Sequence, residues 1–306
     1  MCIAGVPGFG PKWVASVSLF DSGGVNAVAG VRIRPLLCAI VPTDNDPVID
    51  FDTAHTARVY DYYLGGKDHF EADRAAGERA ELVHPHVRTS ALENRRFMLR
   101  AAAYLAGQGV TQFLDIGTGI PTEPNLHQAV QEVQPTARVV YVDNDRMVLT
   151  HARALMTGTD EGRTTYVHAD VRKPETILTA PELLETLDLS RPVAVSLIAI
   201  AHFLDDAQNP FEIVARLIDA VPAGSYLVMS HATADFGPEM AEVARVYRES
   251  GMPAQVRSRD EFARFFTGLD LIAPGITTPH RWNPAIEPPE SMDSRVQFYA
   301  AAARKN

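Results

Sequence analysis

Residues 113–122 read FLDIGTGIPT, an apolar run that carries Asp115 two residues before the turn Gly117, Thr118, Gly119. Two glycines one residue apart leave backbone amides bare, and bare amides at a strand end are a ready ligand cradle. Three ligands use such turns: a dinucleotide pyrophosphate, nucleotide phosphates, and the amino-acid end of S-adenosylmethionine. Thr122 stands where the third glycine of the dinucleotide fingerprint belongs, and no Gly-Lys-Ser/Thr follows to serve the phosphates of a P-loop. Asp115 would repel a pyrophosphate and attract an ammonium. The next two apolar runs also close on acids. YVDND places Asp143 and Asn144 where a carboxylate can accept both ribose hydroxyls of an adenosine, and HAD followed by Val171 places Asp170 near an adenine amino group. Acids at three successive strand ends are the spacing of an S-adenosylmethionine site. Each has an ordinary alternative, since Asp115, Asp143 and Asp170 could each cap a turn or a helix, but their joint occurrence favours the ligand.

Methyl transfer is an in-line displacement that asks the protein to position an acceptor and, for a hydroxyl or amine, to take its proton. Two histidines are candidates: His202 in IAIAHFLDD and His231 in VMSHAT, each after an apolar run. A histidine titrates in the right range for a base, although at a strand end it commonly serves structure. Asp205, Asp206 and Asn209 read as the start of a helix at Pro210 rather than as metal ligands, and His84 and His86 lack a second ligand pair. No metal is expected. Trp282, in a Pro-rich loop, is a candidate roof for the acceptor or a core residue.

The elements that must hold these residues follow from periodicity. QFLDIG, RVVYVD, TTYVHAD, VAVSLIAI and SYLVMSH alternate with helical stretches from about Pro124, Arg146, Pro181, Pro210 and Pro238. Such alternation predicts βαβ units and a parallel sheet with helices on both faces. LDLIAPG and RVQFYAAAA are separated by no helical stretch and should pair antiparallel. Upstream, residues 52–106 carry three helical patterns, the first ended by Gly65 and Gly66 and the second by His84-Pro85-His86. Residues 1–46 lack a clear period and read as an extension, leaving a helical cap over 47–106 and a ligand-binding domain over 107–306.

Composition narrows the function. Of 306 residues, 46% are hydrophobic and 22% charged, which fits a globular domain, and no apolar run approaches the ~18 residues of a membrane span. The apolar N-terminus has no basic residue ahead of its apolar part and is broken by Pro7, Pro11 and Lys12, so no secretory signal is expected. Cys2 and Cys38 are the two cysteines, too few for a disulfide framework, which points to a reducing cytoplasm. The net charge is −10, and residues 1–46 balance Lys12, Arg32 and Arg34 against Asp21, Asp44 and Asp46. The excess charge therefore lies on the body, which disfavours nucleic acid as a partner.

The stretch LDIGTGIPTEPNLHQAVQEVQPTARVVYVDNDRMVLTHARALM resembles a bacterial S-adenosylmethionine-dependent methyltransferase family long filed as a domain of unknown function. TAHTARVYDYYLGGKDHFEADR and FFTGLDLIAPGITTPHRWNP are similar to that family's other signatures, and residues 1–46 fall outside the resemblance. It implies a class I, Rossmann-like methyltransferase fold of seven strands with the last antiparallel, and S-adenosylmethionine as cofactor. Gly117, Gly119, Asp143 and Asp170 match the family's cofactor positions, and Arg58, Tyr62, Gly65 and Gly66 match a motif that folds over the cofactor. Tyr63 replaces an expected leucine and His69 an expected asparagine. Tyr62 lies four residues after Arg58, so the two share a helix face. A cation beside a phenol suits a methionine carboxylate and the edge of an adenosine, and the segment is expected to act as a lid. The leading expectation is a cytoplasmic methyltransferase acting on a small-molecule acceptor. A cofactor-binding regulator without turnover and an NAD-dependent oxidoreductase are the competing readings.

Overall fold

Five apolar runs become parallel strands: β1 (Gln112–Ile116), β2 (Arg138–Asp143), β3 (Arg163–His168), β4 (Ala194–Leu197) and β5 (Tyr226–Ala232). The tail adds β6 (Leu269–Leu271) and β7 (Phe298–Lys305), and β7 runs antiparallel to both β5 and β6. The seven-stranded order is β3-β2-β1-β4-β5-β7-β6, with the reversal of strand order between β1 and β4. These relations come from a computed structural model that describes residues 50–155 and 158–306. The extension read over residues 1–46, with Cys2 and Cys38, lies outside the described residues, which fall within one compact unit.

Helices flank the sheet as α1 (Thr56–Leu64), α2 (Glu71–Val83), α3 (Val87–Gly107), α4 (Leu126–Val133), α5 (Arg146–Leu155), α6 (Pro174–Leu178), α7 (Pro181–Thr186), α8 (Pro210–Asp219), α9 (Glu239–Glu249) and α10 (Arg259–Ala263). The inner strands β1, β2, β4 and β5 are largely apolar because both faces are covered, whereas the edge strands β3 and β6 are mostly part-exposed. Phe113, Val139, Tyr141, Ala194 and Val228 pack with Phe97 and Leu105 of α3. Their neighbours Leu114, Val140, Val142, Val195 and Leu227 pack on the opposite side with Ile177, Leu183 and Leu217 of α6, α7 and α8. Alternate residues thus serve alternate cores, as a pleated strand requires. A third apolar cluster joins α1 and α2 to α9 through Val59, Tyr63, Ala76, Ala80, Met240 and Val243.

Three details depart from the sequence reading. The helix expected near Pro181 is two short helices, α6 and α7. The apolar run VAVSLIAI pairs only to Leu197, because Ala199 takes a left-handed φ of 56° and turns the chain out of the sheet, its amide donating to Ser230 Oγ at 2.9 Å. Trp282 does not roof a pocket: it is fully buried, with Phe97 and Tyr104 edge-on to its ring.

Candidate functional site

A cleft of about 350 Å³ opens beyond the carboxyl ends of β1, β2 and β4, where strand order reverses, the position ligands favour in open parallel sheets. Its floor is the glycine turn. Gly117 has φ +71°, and a Cβ there would lie 2.0 Å from Ile200 Cδ1, so the absence of a side chain lets the chain after β4 close down on the turn. The Gly117 amide donates to Val142 O at 2.8 Å and the Thr118 hydroxyl to Asp115 O at 3.2 Å, which stitches the turn to β1 and β2.

The expected acids gather here. Asp143 is buried and accepts from the Gly119 amide at 2.8 Å and the Asp145 amide at 2.9 Å. Burial nevertheless raises its pKa. Asp115 is also buried and accepts from the Ser196 hydroxyl, and burial pushes its pKa up to about 6. Thr118, Gly119, Asn144, Asp170 and Val171 complete this side of the wall. Asp170 comes with a partner that the sequence reading did not foresee. Arg172 Nε reaches its two carboxylate oxygens at 2.9 and 2.8 Å. Burial works to raise the Asp170 pKa, but the hydrogen bonds from Arg172 hold it below the usual carboxylate value.

Arg58 and Tyr62 are corrections. Neither lines the cleft. Arg58 is buried, with Nε on Asp73 at 3.1 to 3.2 Å, Nη1 on Asp50 O at 3.0 Å and Nη2 on Thr53 O at 2.7 Å. The Tyr62 ring lies under the Arg88 guanidinium at 4.2 Å, and its hydroxyl donates to Glu81 at 3.3 Å. Both belong to the packing of α1 on its neighbours. The face of α1 turned to the cleft carries Thr56, Ala57 and Tyr60 instead, preceded by His55, whose Nδ1 caps the helix by accepting from the Ala57 amide at 3.3 Å.

Arg95 was also missed. It lines the cleft from α3, its guanidinium donating to Thr122 O and, at 2.9 Å, to Pro124 O, and burial lowers its pKa while Tyr60 and Asp115 oppose that shift. The available signal was a charge on an apolar face: Arg95 falls four residues after buried Ala91 and three before buried Met98.

The two histidines differ. His231 is fully buried; an arginine can only donate, so the 2.9 Å contact from Arg257 Nη1 fixes His231 Nε2 as acceptor and leaves Nδ1 to donate to Ala232 O at 2.8 Å. That tautomer is neutral, and burial takes its pKa down to about 3. His231 is therefore a structural residue and not the base that its position suggested. His202 lies in the 3-10 turn Ala201–Phe203, outside the cleft wall, with Nδ1 buried and without a partner. Burial holds it neutral, with the fields of His231 and Arg257 acting in the same sense. The acids after it are committed to structure: the Asp205 carboxylate accepts from the Gln208 amide, and Asp206 pairs with Arg257 at 2.7 Å. Among the described residues, no three His, Cys, Asp or Glu gather to hold a metal.

A family model described as S-adenosyl methyltransferase matches residues 42–306. A DUF574 family protein of Streptomyces avermitilis is 48% identical, with 84% of this chain and 99% of that chain covered and a TM-score of 0.80. A Thermobifida fusca protein provisionally described as a methyltransferase is 39% identical, with 84% and 97% covered and a TM-score of 0.79. No curated protein matches the chain.

Proposed function

Because the chain belongs to the S-adenosyl methyltransferase family and is an S-adenosylmethionine-dependent methyltransferase, we propose that its acceptor is a small molecule and that the cleft above Gly117 holds the cofactor. The observation that carries this reading is the pair of buried acids, Asp115 and Asp143, on either side of the glycine turn. Buried carboxylates are costly unless a cation or several donors reach them, and a ligand with an ammonium and vicinal hydroxyls supplies both. When bound, S-adenosylmethionine provides a methyl group activated by a positively charged sulfur. Asp143 accepts from the ribose hydroxyls, Asp115 faces the ammonium, and Arg95 holds the carboxylate, since the amides of Gly117 and Thr118 are committed to Val142 O and that of Gly119 to Asp143. Asn144, Asp170 and Val171 flank the adenine. Thr56, Ala57 and Tyr60 of α1 close the site from above and keep water out.

A cleft of about 350 Å³ in a chain of net charge −10 suits a small acceptor better than a nucleic-acid backbone. No helix among the described residues is long and apolar enough to cross a membrane, and a cytoplasmic site of action is part of the proposal. Calorimetric titration with S-adenosylmethionine and with NAD tests it. Saturable binding of the first at one site per chain, without binding of the second, is expected. Binding of NAD alone would reassign the cleft.

A further inference from the structure

A second, smaller cavity of about 50 Å³ adjoins the cleft, and Thr56, Tyr60, Ala199 and Phe203 line both. It lies between α1, the β4 turn and α9. At the boundary stands Ala199, whose left-handed φ of 56° is uncommon for a residue with a Cβ; such strained residues concentrate at functional sites. The wall holds no Asp, Glu, Lys or Arg; it is built of Met240, Val243, Ala244, Phe298 and similar groups, with few polar atoms. His202 is one of the exceptions, and its Nδ1 is buried with no hydrogen-bond partner. The Tyr63 and Tyr247 hydroxyls form another, joined by a single hydrogen bond of 2.9 Å that leaves one of their two hydrogens uncommitted. A buried nitrogen without a partner is costly in a native protein and asks for a ligand or a role.

We propose that this cavity seats the reacting end of the acceptor, and that the acceptor is an uncharged hydroxyl compound on an apolar stem, of the phenol class. The inference rests on reading the neighbouring cleft as the cofactor site. An ammonium or a carboxylate would enter a wall with no counter-charge, which desolvation forbids. A hydroxyl both donates and accepts, and the wall offers His202 Nδ1 as acceptor in the tautomer protonated at Nε2, a spare O–H from the tyrosine pair, and the Thr56 hydroxyl at the boundary. The cavity is about a third of the ~150 Å³ that holds a benzene ring, so it takes the hydroxyl and the carbon that bears it near the Ala199–Phe203 boundary, while the rest of the stem leaves along the α1 side, clear of the line from the oxygen to the cofactor's methyl. In the reaction, the acceptor oxygen forms a bond to the methyl carbon as the carbon–sulfur bond breaks and S-adenosylhomocysteine leaves. The hydroxyl proton passes to His202 Nδ1 and then to solvent. An oxygen that has gained a methyl while still protonated is a strong acid, so even a weakly basic buried imidazole accepts its proton.

Methionine methyl groups report on the two compartments separately, because Met98 and Met252 line the cleft and Met240 lines the cavity. Protein labelled with carbon-13 at the methionine methyls is titrated with S-adenosylhomocysteine, then with phenol, benzoate or benzylamine. The nucleoside should shift Met98 and Met252. Phenol should then shift Met240 with at least tenfold tighter binding than either charged probe, and A244L, which fills the cavity, should remove that response while binding the nucleoside within threefold of wild type. If phenol leaves Met240 unmoved in the wild type, or a charged probe binds as well, the acceptor assignment is wrong even though nucleoside binding stands. If the nucleoside itself leaves Met98 and Met252 unmoved, the cofactor reading fails and the acceptor assignment with it. The wild-type spectra decide the matter should A244L fold poorly.

Discussion

The carboxyl ends of β1 and β2 and the carboxyl end of β4 border one cleft with opposite chemistry. The first pair presents Asp115 and Asp143 beside the Gly117–Gly119 turn, whose amides are spent on Val142 O and on Asp143 itself, all within a few residues of a strand end. The β4 side presents Ile198, Ala199 and Phe203, and behind them a cavity with no charged wall residue. The polar side is drawn together at the strand ends, Asp143 by the amides of Gly119 and Asp145 and Asp115 by the Ser196 hydroxyl of β4. The apolar side is assembled from far apart, by α1, the β4 turn and α9, and the Tyr63–Tyr247 hydrogen bond spans 184 residues. A charged, many-armed ligand needs donors and acceptors at fixed backbone positions. A small acceptor needs a shape that excludes water.

Were α1 part of the polar side, as its sequence suggested, Arg58 would meet the ligand; its buried contacts give it another role. Arg58→Ala should remove about 3–5 kcal/mol of stability, because it strands Asp73, fully buried, without its cation. Chemical denaturation of the ligand-free variant measures this, and the affinity of the folded fraction for S-adenosylmethionine should stay within about threefold of wild type. Unchanged stability with tenfold weaker binding would return Arg58 to the cleft.

A smaller effect sharpens the polar side. The Asp115 carboxyl has a pKa of about 6, raised above the usual carboxylate range by burial. The folded chain therefore holds this proton more tightly than the unfolded chain does. Asp115's contribution to ligand-free stability is full below about pH 4 and is lost as pH rises through 6. A cationic ligand selects the ionised form, so S-adenosylmethionine should bind up to about tenfold more tightly at pH 7 than at pH 5. Asp115→Asn should flatten that dependence in calorimetric titrations. An unchanged slope would mean that another group, with Asp143 the first suspect, carries it.

Much of this was legible in the sequence because each acid follows an apolar run, so that strand period and position together put it at the carboxyl edge. The antiparallel tail was legible because no stretch of helical period separates LDL from the final strand, and only short 3-10 turns intervene. The α1 assignment failed on rotation. Spacing of four says that two residues share a face but not which face meets the ligand, and Thr56 and Tyr60 satisfy the same rule as Arg58 and Tyr62. His231 could not be resolved either, since Arg257, which fixes its tautomer, lies 26 residues away with no local pattern to pair them. The early end of β4 was hidden because Ile198, Ala199 and Ile200 are as apolar as the strand they leave.

In the proposed cofactor site Asp143 is the anchor of the polar side. Calorimetric titration of S-adenosylmethionine into Asp143→Ala, beside the wild type at pH 7.5, tests it most directly. Loss of a buried charged acceptor that meets ribose hydroxyls should weaken binding by about 1.5–3 kcal/mol, with the stoichiometry unchanged. Equal affinity in the two proteins would place the ribose elsewhere and contradict the assignment.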